Sequence, residues 1–139
     1  MATEIFFDGL CEPQPHGIGT YGYVVYSNGR KVREGCAFIG KGHGMTNNVA
    51  EYTALVEALR WARAHGFLKG EVVAKGDSQL VIRQLQGSYK VRSETSRKFF
   101  PVIRELTKGV KIRYEWVGRE SNVEADFLSK KAHSDYLGS

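Results

Sequence analysis

The sequence predicts an α/β protein with one mixed five-stranded sheet and helices on its faces. Three β-type runs come first, at about 3–8, 19–27 and 31–40, and the Asn-Gly pair of SNGR (27–30) indicates a hairpin between the last two. Helical and strand patterns then alternate to the end of the chain. We therefore expect strands 1–3 to be antiparallel, and strands 1, 4 and 5, which follow helical crossovers, to be parallel.

Hydrophobic periodicity and helix-capping residues locate the remaining elements. The first helix begins at the cap candidates Thr46, Asn47 and Asn48, and it ends near His65, where Gly66 stops it. The later elements are a strand at 71–77, a helix at 78–86, a helix at about 95–108, a strand at 110–118 and a helix capped at Asn122.

Length and composition suit one domain over residues 1–139. The two cysteines, Cys11 and Cys36, do not form a disulfide framework or a zinc motif, and we expect both to be small buried residues. No apolar run approaches the roughly 18 residues of a membrane span, and the N-terminus lacks a signal-peptide pattern. We expect a cytoplasmic monomer without a membrane partner, with Trp61 and Trp116 in its core.

The net charge of +5 is concentrated in one segment. Residues 83–119 contain ten Lys or Arg and three Glu, which gives +7 and leaves −2 for the remainder. A basic segment of this kind is typical of proteins that bind a polyanion such as a nucleic acid. A solvated surface explains the charge equally well when the charge is taken alone.

Four acidic residues stand where the predicted fold brings them together. Asp8 and Asp77 end two strands that we expect to be parallel neighbours, at the edge of the sheet where open α/β proteins bind ligands. Asp126 lies one turn into the last helix. Taken singly, Asp8 fits a turn, Asp77 a helix cap and Asp126 a favourable interaction with a helix N-terminus. Glu51 fits no such role, because it lies on an apolar stripe where a carboxylate is costly unless paired, protonated or bound to a cation.

Convergence of these carboxylates requires a cation, because the four negative charges repel one another. Oxygen donors without His or Cys favour Mg²⁺ or Mn²⁺ over zinc. Oxygen-only clusters that hold two ions about 4 Å apart serve phosphoryl transfer, in which one ion activates water and the other stabilises the leaving oxygen. The sequence therefore predicts a metal centre for phosphoryl transfer.

The order and spacing of four motifs resemble type 1 ribonuclease H over nearly the whole chain. The motifs are FDG (7–9) with Cys11 soon after, TNN (46–48) three residues before Glu51, GDSQ (76–79) and ADFLSKKA (125–132). The resemblance implies the ribonuclease H-like fold and endonucleolytic hydrolysis of the RNA strand of an RNA–DNA hybrid, leaving 5′-phosphate and 3′-hydroxyl ends. It implies two Mg²⁺ or Mn²⁺ ions with substrate, and leaves activity on double-stranded RNA open.

The resemblance also assigns roles to particular residues. Asp8, Glu51, Asp77 and Asp126 match the family's metal-binding catalytic carboxylates. The residues assigned to substrate binding are Gly9, Cys11, Thr46, Asn47, Asn48, Gln79 and Asn122. Short amides among them suit the wide minor groove of an A-like hybrid, where they can donate and accept without demanding one base.

Two features depart from many members of the family. Such members have a His in the loop before the last catalytic Asp, whereas GRESNVEAD (118–126) has none, and Arg119 is the nearest basic residue that could hold the outgoing phosphate. A long basic insertion is also replaced by the short segment GSYKVRSETS (87–96), in which Lys90 and Arg92 are the candidates for binding substrate. The chain in this respect resembles a compact branch found in archaea and some bacteria and plants.

Two other classes of protein share some of these features. Integrase and transposase nucleases share the fold and an acidic cluster, but they usually use three acids, the last a Glu, with additional DNA-binding domains. A non-catalytic module that binds hybrids is the second alternative. Four clustered acids argue against a pure binder of polyanions, because negative charge weakens such binding.

The short basic segment predicts a salt effect on nucleic-acid binding. The double change Lys90→Ala and Arg92→Ala removes two cations, so we expect weaker binding and a log–log salt slope reduced by roughly two. The slope is measured from hybrid affinities at several salt concentrations. An unchanged slope would show that this segment does not contact phosphates.

Overall fold

A mixed sheet of five strands, in the order β3-β2-β1-β4-β5, carries helices on both faces. The computed structural model describes residues 2–87 and 93–138. The strands are β1 (Ala2–Glu12), β2 (Ile18–Ser27), β3 (Arg30–Lys41), β4 (Glu71–Gly76) and β5 (Lys111–Trp116). The helices are α1 (Asn47–Ala64), α2 (Gln79–Leu85), α3 (Glu94–Leu106) and α4 (Val123–Leu137), with a 3₁₀ turn at Arg119–Ser121. Among these helices, none has the length and apolar character that crossing a membrane requires.

The strand directions confirm the predicted fold class. β1 pairs antiparallel with β2, and β2 pairs antiparallel with β3. β1 pairs parallel with β4, and β4 pairs parallel with β5. The predicted ends of the helices lie within two residues of the observed ones. For α1 the prediction relied on capping residues at its start and on Gly66 at its end.

Alternation of side chains along β1 separates the two helical layers. Ile5 and Phe7 are fully buried in the main core, to which α1 contributes most of its buried residues. Asp8 points to the other face, opposite Gly22 of β2. Gly22 allows α4 to pack closely on that face, because a Cβ there would lie 2.5 Å from the carbonyl oxygen of Ala125.

The structure corrects the predicted end of β1. The strand continues to Glu12 along β2, which begins at Ile18, so the predicted end of the first strand at about residue 8 is wrong. The parallel pairing with β4 stops much earlier, at Phe6 opposite Lys75. Asp8 therefore does not end β1. It lies just beyond the last residue of β1 that pairs with β4, so β1 has no parallel neighbour on that side at Asp8.

Hydroxyl side chains cap the N-termini of α1 and α2, the helices that begin near this edge of the sheet. The Thr46 hydroxyl accepts a hydrogen bond from the Val49 N–H at 3.1 Å at the start of α1, and Ser78 caps α2 in the same way at 3.3 Å. The capping role at α2 thus belongs to Ser78 and not to Asp77. Asn122 occupies the cap position of α4, but its side chain makes no capping hydrogen bond.

Gly9 allows α1 to approach β1 more closely than a residue with a side chain would permit. A Cβ at Gly9 would overlap the carbonyl carbon of Ala50 and the backbone nitrogen of Glu51, and it would lie 2.6 Å from the Ala50 oxygen. Ala50 is fully buried and Glu51 is 6% exposed. This contact holds the first turns of α1 beside Asp8.

The close approach predicts that Gly9→Ala lowers the free energy of unfolding by roughly 1–3 kcal/mol, because the new methyl group forces α1 away from β1. Urea denaturation followed by circular dichroism measures the change. Gly40→Ala on β3 is a matched control, since a Cβ there would have its nearest neighbour, the Met45 methyl carbon, at an ordinary 3.5 Å. A Gly9→Ala protein as stable as the wild type would contradict the close contact.

Candidate active site

Three carboxyl groups converge at the open edge beyond β4. Asp8 from β1, Glu51 from α1 and Asp77 from the turn after β4 each offer a carboxylate oxygen, and these oxygens all lie within 4.8 Å of one another. Asp8 and Glu51 are both 6% exposed, and Asp77 is half-buried. Residues that are distant in sequence thus form one compact cluster from both faces of the sheet.

Asp126 borders this cluster without belonging to the group of three. Its carboxyl group interacts with that of Asp8, and its Oδ2 lies 3.1 Å from the Nζ of Lys130 one turn later on α4. Asp126 also lines the same cavity as the three clustered acids. Its role as a fourth metal ligand stays a prediction.

The cluster forms the floor of an open cavity of about 420 Å³. Two basic side chains, Arg119 and Lys130, line this cavity together with the acids. The other lining residues are Gly9, Leu10, Asn47, Asn48, Ser78 and Ser129. The site therefore combines a negative floor with amide, hydroxyl and cationic groups.

Burial and mutual repulsion disfavour the ionised forms of the carboxyl groups in the absence of a cation. Burial, and then the negative charge of Asp77, raises the pKa of Asp8 to about 7. Burial, followed by the charge of Asp8, raises the pKa of Glu51 well above its ordinary value. Burial also raises the pKa of Asp77, against the opposing effects of Asn122 and Arg119.

The donor set fits a divalent cation. Oxygen Oε2 of Glu51 is buried and has no hydrogen-bond partner among the described residues, although buried polar atoms are normally paired. The three converging groups are all carboxylates, the ligands that Mg²⁺ and Mn²⁺ prefer. A cation at this position would satisfy the unpaired oxygen and offset the repulsion that raises the pKa values.

Asn122 is a buried residue next to the acid cluster. It is 1% exposed, and its side-chain Nδ2 donates to the carbonyl oxygen of Phe7 at 3.0 Å. The polar side chain of Asn122 also lowers the pKa of the nearby Asp77 carboxyl group. The structure therefore places Asn122 where it connects β1 to Asp77. Its predicted contact with substrate remains untested.

Two residues of the TNN segment make structural hydrogen bonds, and the third, Asn48, lines the cavity. Thr46 caps α1, and the Asn47 side-chain oxygen accepts a hydrogen bond from the Cys11 N–H at 2.9 Å. Cys11 is 1% exposed, and its thiol lies 3.4 Å from the carbonyl oxygen of Pro13 and 3.6 Å from that of Met45, to which it can donate.

The remaining predicted residues lie at the margins. Gln79 is exposed at the first position of α2. Lys90 and Arg92 fall outside the described residues. The prediction that Trp116 is a core residue is wrong, because its side chain is 47% exposed at the end of the edge strand β5. Trp61 is half-buried against the main core.

Sequence reasoning missed four residues that line the cavity, Leu10, Ser78, Ser129 and Lys130. Lys130 follows Asp126 by four residues on α4, and this spacing indicates a contact between the two side chains. The two serines gave no comparable signal. Ser129 is 1% exposed and lies where α4 packs on β2, with its carbonyl oxygen accepting from the Thr20 hydroxyl at 2.8 Å.

The strand order and the acid cluster together define a protein of the ribonuclease H-like fold class. A family model described as "Reverse transcriptase-like" matches residues 6–132. Ribonuclease HI of the archaeon Halobacterium salinarum is 37% identical over 138 residues, a match that covers 96% of this chain and 65% of the relative.

Two solved structures are similar over almost their full length. RNase H1 from Halobacterium salinarum has a TM-score of 0.86 at 36% identity, covering 97% of this chain and 99% of the other. LC11-RNase H1, isolated from compost by a metagenomic approach, was solved in complex with an RNA/DNA hybrid, with a TM-score of 0.88, 33% identity and the same coverage. The chain belongs to the type 1 ribonuclease H family. It spans between 35% and 65% of the length of the curated relatives it matches.

The raised pKa of Asp8 predicts a pH-dependent stability in the absence of divalent ions. Between the ordinary value of 3.8 and about 7, the folded protein keeps a proton on Asp8 that the unfolded chain has released. The free energy of unfolding should therefore fall as pH rises through this window, by up to a few kcal/mol. Asp8→Asn should reduce this dependence without abolishing it, because the raised pKa values of Glu51 and Asp77 contribute in the same direction. Mg²⁺ or Mn²⁺ should restore stability to the wild type at the upper end.

Urea denaturation of both proteins at about pH 5 and about pH 8, with EDTA or with Mg²⁺, measures these effects. Asp135→Asn is the control, because Asp135 is exposed and pairs with Lys131 at 2.8 Å, away from the cavity lining. Parallel pH curves for the wild type and Asp8→Asn would contradict the raised pKa of Asp8.

Proposed function

We propose that this protein is an endoribonuclease that hydrolyses the RNA strand of RNA–DNA hybrids. The observation that carries the proposal is the convergence of Asp8, Glu51 and Asp77 within 4.8 Å at the open end of the sheet. A cluster of this kind is costly to fold, so its presence favours a chemical role over a structural one. Hydrolysis breaks the bond between phosphorus and the 3′ oxygen, leaving a 3′-hydroxyl and a 5′-phosphate.

The acids would hold Mg²⁺ or Mn²⁺, with two ions expected when substrate is bound. Bound divalent ions supply activation of a water molecule and stabilisation of the leaving oxygen. Asp8, Glu51 and Asp77 would provide the central ligands, and Asp126 would provide a further one from the border of the cavity. The unpaired Oε2 of Glu51 supports direct ligation by that residue.

The polar residues around the acids suit the minor groove of a hybrid. RNA–DNA hybrids are A-like, with a wide and shallow minor groove that presents 2′-hydroxyl groups and base edges. Asn48 at the cavity and Gln79 at the start of α2 have amide groups that can both donate to and accept from such a surface. A relative at 33% identity has been solved with an RNA/DNA hybrid, which supports the same substrate class here.

Two cations of the cavity would hold phosphate groups. Arg119 is exposed and Lys130 is exposed, and both line the cavity that contains the acids. Arg119 would hold the outgoing phosphate after cleavage, the task for which the loop 118–126 offers no His. Phosphate contacts of this kind orient the duplex but carry no sequence information, so we expect cleavage with little sequence preference.

The proposal predicts that Asp77→Asn separates cleavage from binding. The substitution removes a negative ligand but no phosphate contact, so cleavage of a labelled hybrid in Mg²⁺ or Mn²⁺ should slow by roughly a hundredfold or more. Hybrid affinity, measured by fluorescence anisotropy in EDTA, should be retained. Gel assays of matched hybrid, RNA duplex and DNA duplex with each metal determine both the activity and its substrate range.

Asp135→Asn again serves as the control, because it removes an exposed carboxylate of α4 outside the cavity. Retained turnover in Asp77→Asn would exclude that residue from the active site. Intact RNA with the wild-type protein in either metal, despite normal binding, would favour the non-catalytic module.

A further inference from the structure

Trp116 lies at the rim of the acid cluster, where neither core packing nor the proposed chemistry explains it. The indole N–H donates to the backbone carbonyl oxygen of Asp77 at 3.1 Å. The side chain is nevertheless 47% exposed. A large aromatic ring is therefore fixed beside an active-site acid with much of its surface open to solvent.

The backbone explains why the ring stays there. Trp116 pairs with Gly76 as the last step of the parallel β4–β5 ladder, and the Val117 N–H donates to the Gly76 carbonyl at 3.0 Å. Asp77 follows Gly76 directly, so the indole bond crosses from the end of β5 to the turn that carries the acid. The indole N–H is thereby satisfied within the protein, and the ring itself remains available for apolar contact.

The position suits contact with the nucleic acid outside the cavity. Trp116 is not among the residues that line the cavity, yet it touches Asp77, which is. A duplex is wider than this cavity, so the strand that flanks the cleaved phosphate must pass over its rim. Gln79, which is exposed two residues after Asp77, offers a polar group for the same stretch of groove.

We propose that Trp116 is a substrate-contacting residue, whose open ring packs against a ribose or base of the hybrid next to the cleaved phosphate. The contact is apolar and independent of base identity, as aromatic platforms are in other nucleic-acid-binding proteins. The inference rests on the proposed function, because it requires that a hybrid occupies the site.

Tryptophan fluorescence tests the contact directly, because the chain contains only two tryptophans. In a Trp61→Phe protein, emission reports Trp116 alone. Titration with hybrid in EDTA should change this emission saturably, with the same midpoint as the anisotropy of a labelled hybrid. The matched control is Trp116→Phe, which leaves Trp61 as the reporter. Trp61 stacks on Phe67 and lies ten residues after Glu51, about 15 Å along α1, so its emission should not change.

Kinetics in Mg²⁺ distinguish substrate contact from an indirect effect through Asp77. Trp116→Ala should raise KM roughly tenfold with kcat within about twofold, and Trp116→Phe, which retains a ring, should restore most of the loss. A fall in kcat at unchanged KM would overturn the proposal, because it would show that the indole acts only by holding Asp77. Circular dichroism confirms that each variant is folded.

The outcomes separate this inference from the proposed function. Normal anisotropy with an unresponsive Trp116 would overturn the contact and leave the nuclease assignment intact. Absence of hybrid binding by anisotropy, both in EDTA and with Mg²⁺, would overturn both. A saturable response of Trp116, absent for Trp61, would support the contact.

Discussion

The close packing of α1 against β1 at Gly9 is the contact on which the candidate site depends. It holds the backbone of Ala50 and Glu51 against the strand, where even one additional carbon atom would overlap them. Because Asp8 immediately precedes Gly9, the same contact determines the separation of the Asp8 and Glu51 carboxyl groups. The geometry of the acids therefore follows from backbone packing and does not need a flexible side chain to bring them together.

The cluster opposes folding, and the rest of the molecule compensates for it. Burial raises the pKa values of Asp8, Glu51 and Asp77, which means that the folded state stabilises the uncharged forms of all three. The main core beneath them, with fully buried Phe7, Tyr52 and other apolar side chains, supplies the free energy that holds the acids in place. Such local destabilisation within a stable scaffold is typical of sites retained for chemistry.

Fold class and the acid positions were predictable because each depends on local signals that agree. The Asn-Gly hairpin and the alternation of helices and strands specify the antiparallel and parallel halves of the sheet. Glu51 was conspicuous because a carboxylate interrupts an apolar stripe. Asp77 was recognisable from its place between a strand and a helix, although Ser78 turned out to be the cap.

The features that sequence reasoning missed depend on partners far away in the chain. β1 extends to Glu12 because β2 continues to pair with it, and the sequence of residues 10–12 contains no signal that predicts this pairing. Asn122 resembles a helix cap, yet its amide bonds to Phe7, 115 residues earlier. Trp116 is a large apolar residue of the kind usually found in a core. It is exposed because it lies at the end of an edge strand, and that position is known only once the strand order is known.

The charge of the site links its two proposed ligands. A floor of carboxylates repels phosphates, whereas Arg119 and Lys130 at the same cavity attract them. Divalent cations bound to the acids would change the charge of the cavity floor from negative to positive. Bound metal should therefore increase the affinity for the hybrid, and bound hybrid should increase the affinity for the metal by the same factor. Without metal, the burial that raises the pKa values partly neutralises the floor by protonation. The same carboxylates that destabilise the fold would thus make productive binding of the polyanion depend on the ion that the chemistry requires.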